Sequence, residues 1–236
     1  MALPISGPIS LSQVQGEFGG ANPISLIEYY RGGPYTTSNN TSVPTSGAIS
    51  LSNFYGATRS VVVAYNVIGG GGGGAGGGNR PYAGGAGGYS QIYGSGFATV
   101  TSSGGAGGLP YSFASSNGAA SAYGAGGAAG INAEYGTPGS GGAAPASSYG
   151  AGGGGGGSRF DGYAGLGGSA ASLVSSSQSV VPGTVLSITV GSGGYGGSGG
   201  LTSGGAGAGG RVIIYRNGVL VADYTTPGTY SLTVPA

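Results

Sequence analysis

Three short stretches near the start of the chain repeat one pattern of apolar and polar positions. They are Pro8-Ile9-Ser10-Leu11-Ser12-Gln13-Val14, Pro23-Ile24-Ser25-Leu26-Ile27-Glu28-Tyr29 and Ala48-Ile49-Ser50-Leu51-Ser52-Asn53-Phe54. In the first two, a Ser followed three residues later by Gln13 or Glu28 has the spacing of a capping box, in which the two side chains satisfy backbone donors reciprocally. Each repeat is expected to open a helix of one or two turns. Ile9 with Val14, Ile24 with Tyr29 and Ile49 with Phe54 would staple the first turns, and Gly16, Gly32 and Gly56 would stop them. Helices this short do not persist alone in water, so residues 1–58 read as a docking module that needs a surface to sit on.

A second pattern is β-branched. SVVVAYNVI (60–68) and TVLSITV (184–190) run directly into glycine, and RVIIY (211–215) runs out of it. Asn217-Gly218 between RVIIY and VLVADY (219–224) is a strong hairpin signal, and TYSLTV (229–234) follows a turn at Thr226-Pro227-Gly228. These strands predict a small antiparallel sheet clamping the ends of whatever lies between 69 and 210.

That middle region holds most of the chain's 62 glycines, in about nine runs such as GGGGGGAGGG (69–78), AGGAGG (83–88) and GAGGGGGG (150–157). Between them stand aromatic and Ser-rich interludes. A flexible linker is the ordinary reading of Gly-rich sequence, but these runs are padded with Ala and bordered by Tyr, Leu and strands. Glycine also tolerates an extended left-handed threefold helix whose backbone groups point outward to neighbours, and only glycine lets such helices touch. A bundle of these polyglycine II helices satisfies its backbone groups mutually, as a sheet does. The entropy of fixing glycines, about 1–2 kcal/mol per residue, must be recovered from many hydrogen bonds of about 0.5–1.5 kcal/mol each. The expected fold is therefore mostly irregular and β. A small module of short helices (1–58) precedes a polyglycine II bundle (59–236) clamped by a small antiparallel sheet and ending in a hairpin.

Composition narrows the chemistry. The chain of 236 residues has no His or Cys and only six Lys plus Arg, all of them Arg, so zinc sites and Cys or His nucleophiles are excluded. Arg31, Arg59, Arg80, Arg159, Arg211 and Arg216 are scattered singly at a net charge of +1, which offers no basic stripe for nucleic acid. No apolar run is long enough to insert in a membrane. The few carboxylates stand in no motif, so an enzyme is not expected, nor a cofactor or a metal. Neither strict Gly-X-Y periodicity nor a βαβ context supports collagen or dinucleotide readings.

The segments GPISLSQVQGEFGG, NPISLIEYYRGG and SGAISLSNFYGA resemble the repeated N-terminal segments of tail-associated virion proteins of tailed bacteriophages. The middle region resembles the glycine-rich receptor-binding adhesins at the tips of T-even-type long tail fibres, whose polyglycine II helices form a sandwich with distal loops that meet the host. The attachment domain of those adhesins has no counterpart here, and their loops have no fixed motif from which contact residues transfer. The resemblance implies a non-enzymatic virion protein of the tail fibre or tail tip, made in the host cytoplasm. Its expected partners are other tail, fibre or baseplate proteins and a bacterial surface receptor, either an outer-membrane protein or a glycan. Candidate docking residues are Ile9, Leu11, Ile24, Leu26, Tyr29, Tyr30, Ile49, Leu51, Phe54 and Tyr55. Candidate receptor contacts are the aromatics of the interludes, Tyr82, Tyr89, Tyr93, Phe97, Tyr111, Phe113, Tyr123, Tyr135, Tyr149, Phe160 and Tyr163, with Arg80 and Arg159; each ring has the alternative role of capping a glycine helix. Two other readings compete. One is a structural connector in a baseplate or fibre; the other is an ice-binding glycine-rich protein, against which the bulky interludes argue.

Overall fold

The computed structural model describes residues 3–38, 40–110, 115–132, 139–156 and 163–235. The chain divides into two compact units, one of Met1–Val62 with Ser179–Thr184 and Thr233–Ala236, the other of Val63–Gln178 with Val185–Leu232. Among the described residues the regular elements are mostly strand, with one α-helix.

In the first unit the opening repeat forms helix α1, Leu11–Phe18. The expected capping box is present: Ser10 N–H donates to Gln13 Oε1 at 2.8 Å, and Gln13 N–H donates to Ser10 Oγ at 3.3 Å. The other two repeats make only single 3-10 turns, Leu26–Tyr29 and Leu51–Phe54. Two details depart from expectation. Ser25 makes no side-chain cap, whereas in the third repeat Asn53 takes the reciprocal role, its Oδ1 accepting from Ser50 N–H at 2.8 Å. Gly16 lies inside α1; the stop is Gly19, where φ is 85° and the N–H donates to Gln15 O at 2.7 Å.

The repeats share a burial pattern as well as a sequence. The seventh residue of each, Val14, Tyr29 and Phe54, is fully buried, while the second and fourth positions are half-buried. Phe18, Tyr29 and Phe54 close a triangle of rings with centroids 6.1–6.2 Å apart, a separation at which aromatic pairs attract. The buried Tyr29 hydroxyl is satisfied by donating to Gly19 O at 2.6 Å. Asn40 and Glu17 hold the exit of the segment. Asn40 exchanges two hydrogen bonds with the Thr58 backbone at 2.8 and 2.9 Å, and Glu17 accepts from Arg59 N–H at 2.8 Å.

The strands form two four-stranded sheets instead of the single small one expected. Their elements are β1 (Val61–Ile68), β2 (Ser90–Gly94), β3 (Phe97–Ser102), β4 (Leu173–Val180), β5 (Val185–Val190), β6 (Arg211–Arg216), β7 (Val219–Tyr224) and β8 (Gly228–Thr233). The orders are β4-β1-β6-β7 and β3-β2-β5-β8. β1 pairs antiparallel with β6, from Val63 opposite Arg216 to Ile68 opposite Arg211. The β6–β7 turn has left-handed Asn217 and Gly218 (φ 48° and 80°), the geometry the Asn-Gly signal predicts. Val67, Ile68, Ile92, Leu186, Ile188, Val212 and Ile214 are buried, and the rings of Tyr65 on β1 and Phe97 on β3 meet at 5.7 Å.

Between the strands the chain runs back and forth as extended rods. Ten occur among the described residues: 69–78, 82–88, 103–109, 115–120, 124–131, 139–145, 150–156, 163–172, 191–200 and 202–210. The fourth, SSNGAA, lies in a stretch that the sequence assigns to an interlude. Rod 69–78 shows the organising rule. Gly70, Gly73 and Gly76 donate to Gly88, Gly85 and Tyr82; Gly71, Gly74 and Gly77 donate to Ala208, Gly205 and Thr202; Gly72, Ala75 and Gly78 donate to Ser169, Leu166 and Tyr163, all at 2.7–3.0 Å. Each successive N–H thus addresses a different antiparallel neighbour, and every third returns to the same one. The carbonyls accept from three further rods: Gly70 O from Gly105, Gly71 O from Gly194 and Gly72 O from Gly153. Rod 69–78 therefore has six rod neighbours, and rod 150–156 has six as well, sharing rods 163–172 and 202–210 with it. This places the ten rods in three layers: 103–109, 163–172 and 115–120; then 82–88, 69–78, 150–156 and 124–131; then 191–200, 202–210 and 139–145.

Position in this lattice explains the composition of each rod. The two central rods are buried throughout and are nearly pure glycine. A Cβ on Gly71 or Gly72 would fall 1.9 Å from a neighbour's carbonyl oxygen, Ala151 O or Ala106 O respectively. Four of the peripheral rods expose every third residue, with Gly or Ala between: Ala83, Ala86 and Tyr89; Ser103, Ala106 and Leu109; Tyr163, Leu166 and Ser169; Ser192, Tyr195 and Ser198. Inside the rods glycine is required for lack of space, since positive φ in the array is confined to rod ends at Gly78, Gly124 and Gly150 among the described residues.

Candidate functional site

Because the rods alternate in direction, the interludes sort to two ends of the lattice. At the strand end lie the β2–β3 hairpin and the turns 120–124 and 145–149. At the far end lie 79–81, Leu109, Ile131, Tyr163 and Leu201, where the rods reverse or stop. The two ends differ in how their side chains are held.

The strand end is tied down. Arg211, at the start of β6, donates from Nε and Nη2 to both carboxylate oxygens of Asp223 on β7, at 2.8 and 2.6 Å. Its guanidinium also stands 5.1 Å from the ring centre of Tyr123 and 5.0 Å from that of Tyr149. Those two rings meet edge to face at 5.9 Å. One cation thus fastens the turns 120–124 and 145–149 to two strands, through a bidentate ion pair and two cation–π contacts. The Arg211 hydrogen bond holds the Asp223 carboxyl below the usual aspartate range against the opposing effect of burial, while burial pushes the Tyr123 phenol up against the pull of Arg211. Gln178 of β4 pairs its side-chain amide with the backbone of Ala98 on β3, accepting from N–H at 2.8 Å and donating to O at 3.0 Å. Tyr224 and Tyr230 stack at 4.6 Å. The Gln178 amide thus occupies a donor and an acceptor on the edge strand β3 that would otherwise be open for pairing.

Several expected contact residues therefore have structural places. Phe97 is buried against Tyr65, and Tyr123 and Tyr149 grip Arg211. Tyr93, on β2, and Tyr89, just before it, are exposed at the strand end. Tyr82, Tyr163 and Arg80 are exposed at the far end, together with Leu109, Ile131 and Leu201, which sequence reasoning did not select. Tyr195, the most exposed tyrosine among the described residues, was also missed because it stands inside a glycine run and not in an interlude. Tyr111, Phe113, Tyr135, Phe160 and Arg159 lie outside the described residues.

In the first unit, Tyr29 and Phe54 are fully buried and form the core instead of a docking surface. Ile9, Leu11, Leu26, Ile49 and Leu51 are half-buried around that core, and Ile24 and Tyr30 are also half-buried. The Tyr30 hydroxyl donates to Gly47 O, and that of Tyr55, which is exposed, donates to Gly7 O at 2.6 Å. Ile5 and Ile27 are the most exposed large apolar side chains among the described residues of this unit; Ile5 lies outside the repeats, and Ile27 takes a position that is Ser in the other two. Among the described residues no helix is long and apolar enough to cross a membrane.

Compared with known proteins, this chain matches no family model, no curated protein and no solved structure.

Proposed function

We propose that this chain is a non-enzymatic tail adhesin of a bacteriophage, docked to the virion through residues 1–58 and meeting the host surface through side chains carried on the glycine array. Its rods are polyglycine II helices in this reading. What supports that assignment is the return of each donor direction every third residue, together with the six-neighbour packing. The observation that carries the functional reading is the contrast between the two ends of the lattice. At the strand end Tyr123, Tyr149 and Phe97 are engaged by Arg211 and Tyr65, with Tyr89 and Tyr93 exposed beside them, whereas Tyr82, Tyr163, Leu109, Ile131 and Leu201 all stand exposed at the far end. A rigid backbone lattice that buries little beyond alanine methyls in its interior can carry larger side chains on its surface, and rigid aromatic groups give contact area at low entropic cost. The partners are a tail, fibre or baseplate protein and an outer-membrane protein or surface glycan of the host.

The test is adhesion of the labelled full-length chain to bacteria that the virus infects. Saturable binding is expected, weakened about tenfold by Tyr163→Ala with Leu109→Ser, in line with the 1–2 kcal/mol typical of exposed anchors. Absence of any adhesion would favour the connector reading, in which the lattice is a spacer within the virion.

A further inference from the structure

Rod 82–88 is an edge of the lattice: its backbone bonds only rods 69–78, 103–109 and 191–200 among the described residues. Three tyrosines stand along it. Tyr82 begins the rod and donates its N–H to Ser198 O at 2.8 Å; Gly85 N–H donates to Tyr195 O at 2.8 Å; Tyr89 follows the rod's last glycine. The register therefore places Tyr82, Tyr195 and Tyr89 at the levels of residues 82, 85 and 89, about 9 and 12 Å apart at a rise of ~3.1 Å per residue. They are 65%, 75% and 53% exposed. The Tyr195 ring lies over Gly85, where a Cβ would come within 2.8 Å of its Cε1 and 2.9 Å of its Cδ1. Glycine at 85 thus lets the ring rest on the rod while most of its surface faces solvent. Between the levels of the rings are the exposed methyls of Ala83 and Ala86 and the exposed Ser192, with the exposed Ser198 level with Tyr82.

The chemistry of this edge selects among ligands. Residues 82–89 and 191–200 carry no charge, so nothing there neutralises the phosphates of a nucleic acid or an anionic headgroup. A peptide adding as a strand needs a row of free donors, but the N–H groups of residues 82, 84, 85, 87 and 88 are already bonded to neighbouring rods. What fits is a ligand with flat C–H faces for the rings and hydroxyls for Ser192, Ser198 and the phenols. The ring spacing suits alternate units of an extended pyranose chain.

We propose that this edge is a track for an extended, uncharged polysaccharide, with Tyr82, Tyr195 and Tyr89 stacking on successive alternate sugars. The proposal rests on the host-surface reading and gives its receptor a chemical class and a second place of contact, along the lattice flank.

The full-length chain is applied to an array of purified bacterial surface polysaccharides, and oligosaccharides of graded length are then cut from the best-bound one. Affinity is expected to rise stepwise as the oligosaccharide reaches a second and a third ring. Tyr195→Ala weakens binding about tenfold, the change expected for losing one stacking contact, and Tyr195→Phe stays within about threefold because the ring remains. Ala128→Ser on the opposite edge leaves binding unchanged, and thermal melts of all variants overlay because these side chains are exposed. The proposal is overturned if no polysaccharide binds, if affinity is independent of length, or if Tyr195→Ala binds like the parent chain. Adhesion to cells that survives Tyr82→Ala, Tyr195→Ala and Tyr89→Ala together also removes the track while leaving the adhesin reading intact; a parent chain that adheres to no cells sinks the adhesin reading itself.

Discussion

At the centre of the first unit lie three aromatic rings; at the centre of the glycine array lie Gly72 and Gly153, joined by a hydrogen bond of 2.9 Å and having no side chains at all. The first core is built by removing apolar surface from water, about 25 cal/mol per Å², and its backbone is satisfied locally by caps and turns. In the array the backbone is itself the core, and close approach of carbonyl to Cα replaces side-chain packing. Each solution fixes what kind of change it tolerates. A ring core accepts a volume change at a graded cost, whereas a lattice with carbonyls 1.9 Å from the position of an added Cβ accepts no side chain there.

The largest effect should follow from breaking that second rule. Gly72→Val puts atoms into the space held by Ala106 O and should cost more than about 4 kcal/mol, a value typical of severe core disruption. Hydrogen exchange across 69–78 would report it as lost amide protection, and unchanged protection would mean that the run is not packed. Phe54→Ala in the first unit should cost about 3–5 kcal/mol, the range for emptying a buried aromatic site, read by denaturant unfolding with exchange in α1 as the local probe. A finer contrast lies between two repeats of nearly identical sequence. Ser10→Ala should cost about 1 kcal/mol through loss of its cap, and Ser25→Ala close to nothing, because Ser25 caps no donor with its side chain. Equal costs would show that the repeats are capped alike in solution.

An effect of similar size to the Ser10 cap, but dependent on pH, concerns Arg211 and Asp223. The folded carboxyl titrates below its unfolded value, so the pair's contribution is fully present at neutral pH and is lost as pH falls below the ordinary aspartate value of about 3.9. Both side chains are partly solvated, at 24% and 30%, which limits the contribution to about 1 kcal/mol. Asp223→Asn should lower stability by that amount at pH 7, and the difference from the parent should vanish on acidification. A difference independent of pH would place the effect in packing of the Tyr123 and Tyr149 turns instead.

Much of this was legible in the residues. Ser10 with Gln13 announced a capped helix, Asn217-Gly218 announced the β6–β7 turn, and GGGGGGAGGG announced a rod with no room for side chains. Rod 115–120 was not legible, because a peripheral rod needs glycine only where it faces a neighbour: Gly118 is such a site, 1.9 Å from Gly152 O if given a Cβ. Strands β2 to β4 were hidden because the Ser-rich LVSSSQSV and the hairpin around Gly94 lack a long β-branched run; their pairing supplies what propensity does not. The site candidates divided for a related reason. Tyr123, Tyr149 and Phe97 look like Tyr82 and Tyr163 in sequence, and only the direction of the rods decides which end each ring occupies.

The sequence by itself determined the local rules of this protein: which residues cap, which turn, and that runs of pure glycine leave no room for side chains where neighbouring segments close in. The tertiary structure alone decided which rod neighbours which, that two sheets gather at one end, that Arg211 grips two distant tyrosines, and that Tyr82, Tyr195 and Tyr89 line one edge. Those arrangements depend on hydrogen bonds between segments far apart in the chain, and a backbone donor carries no side-chain label of the carbonyl it will find.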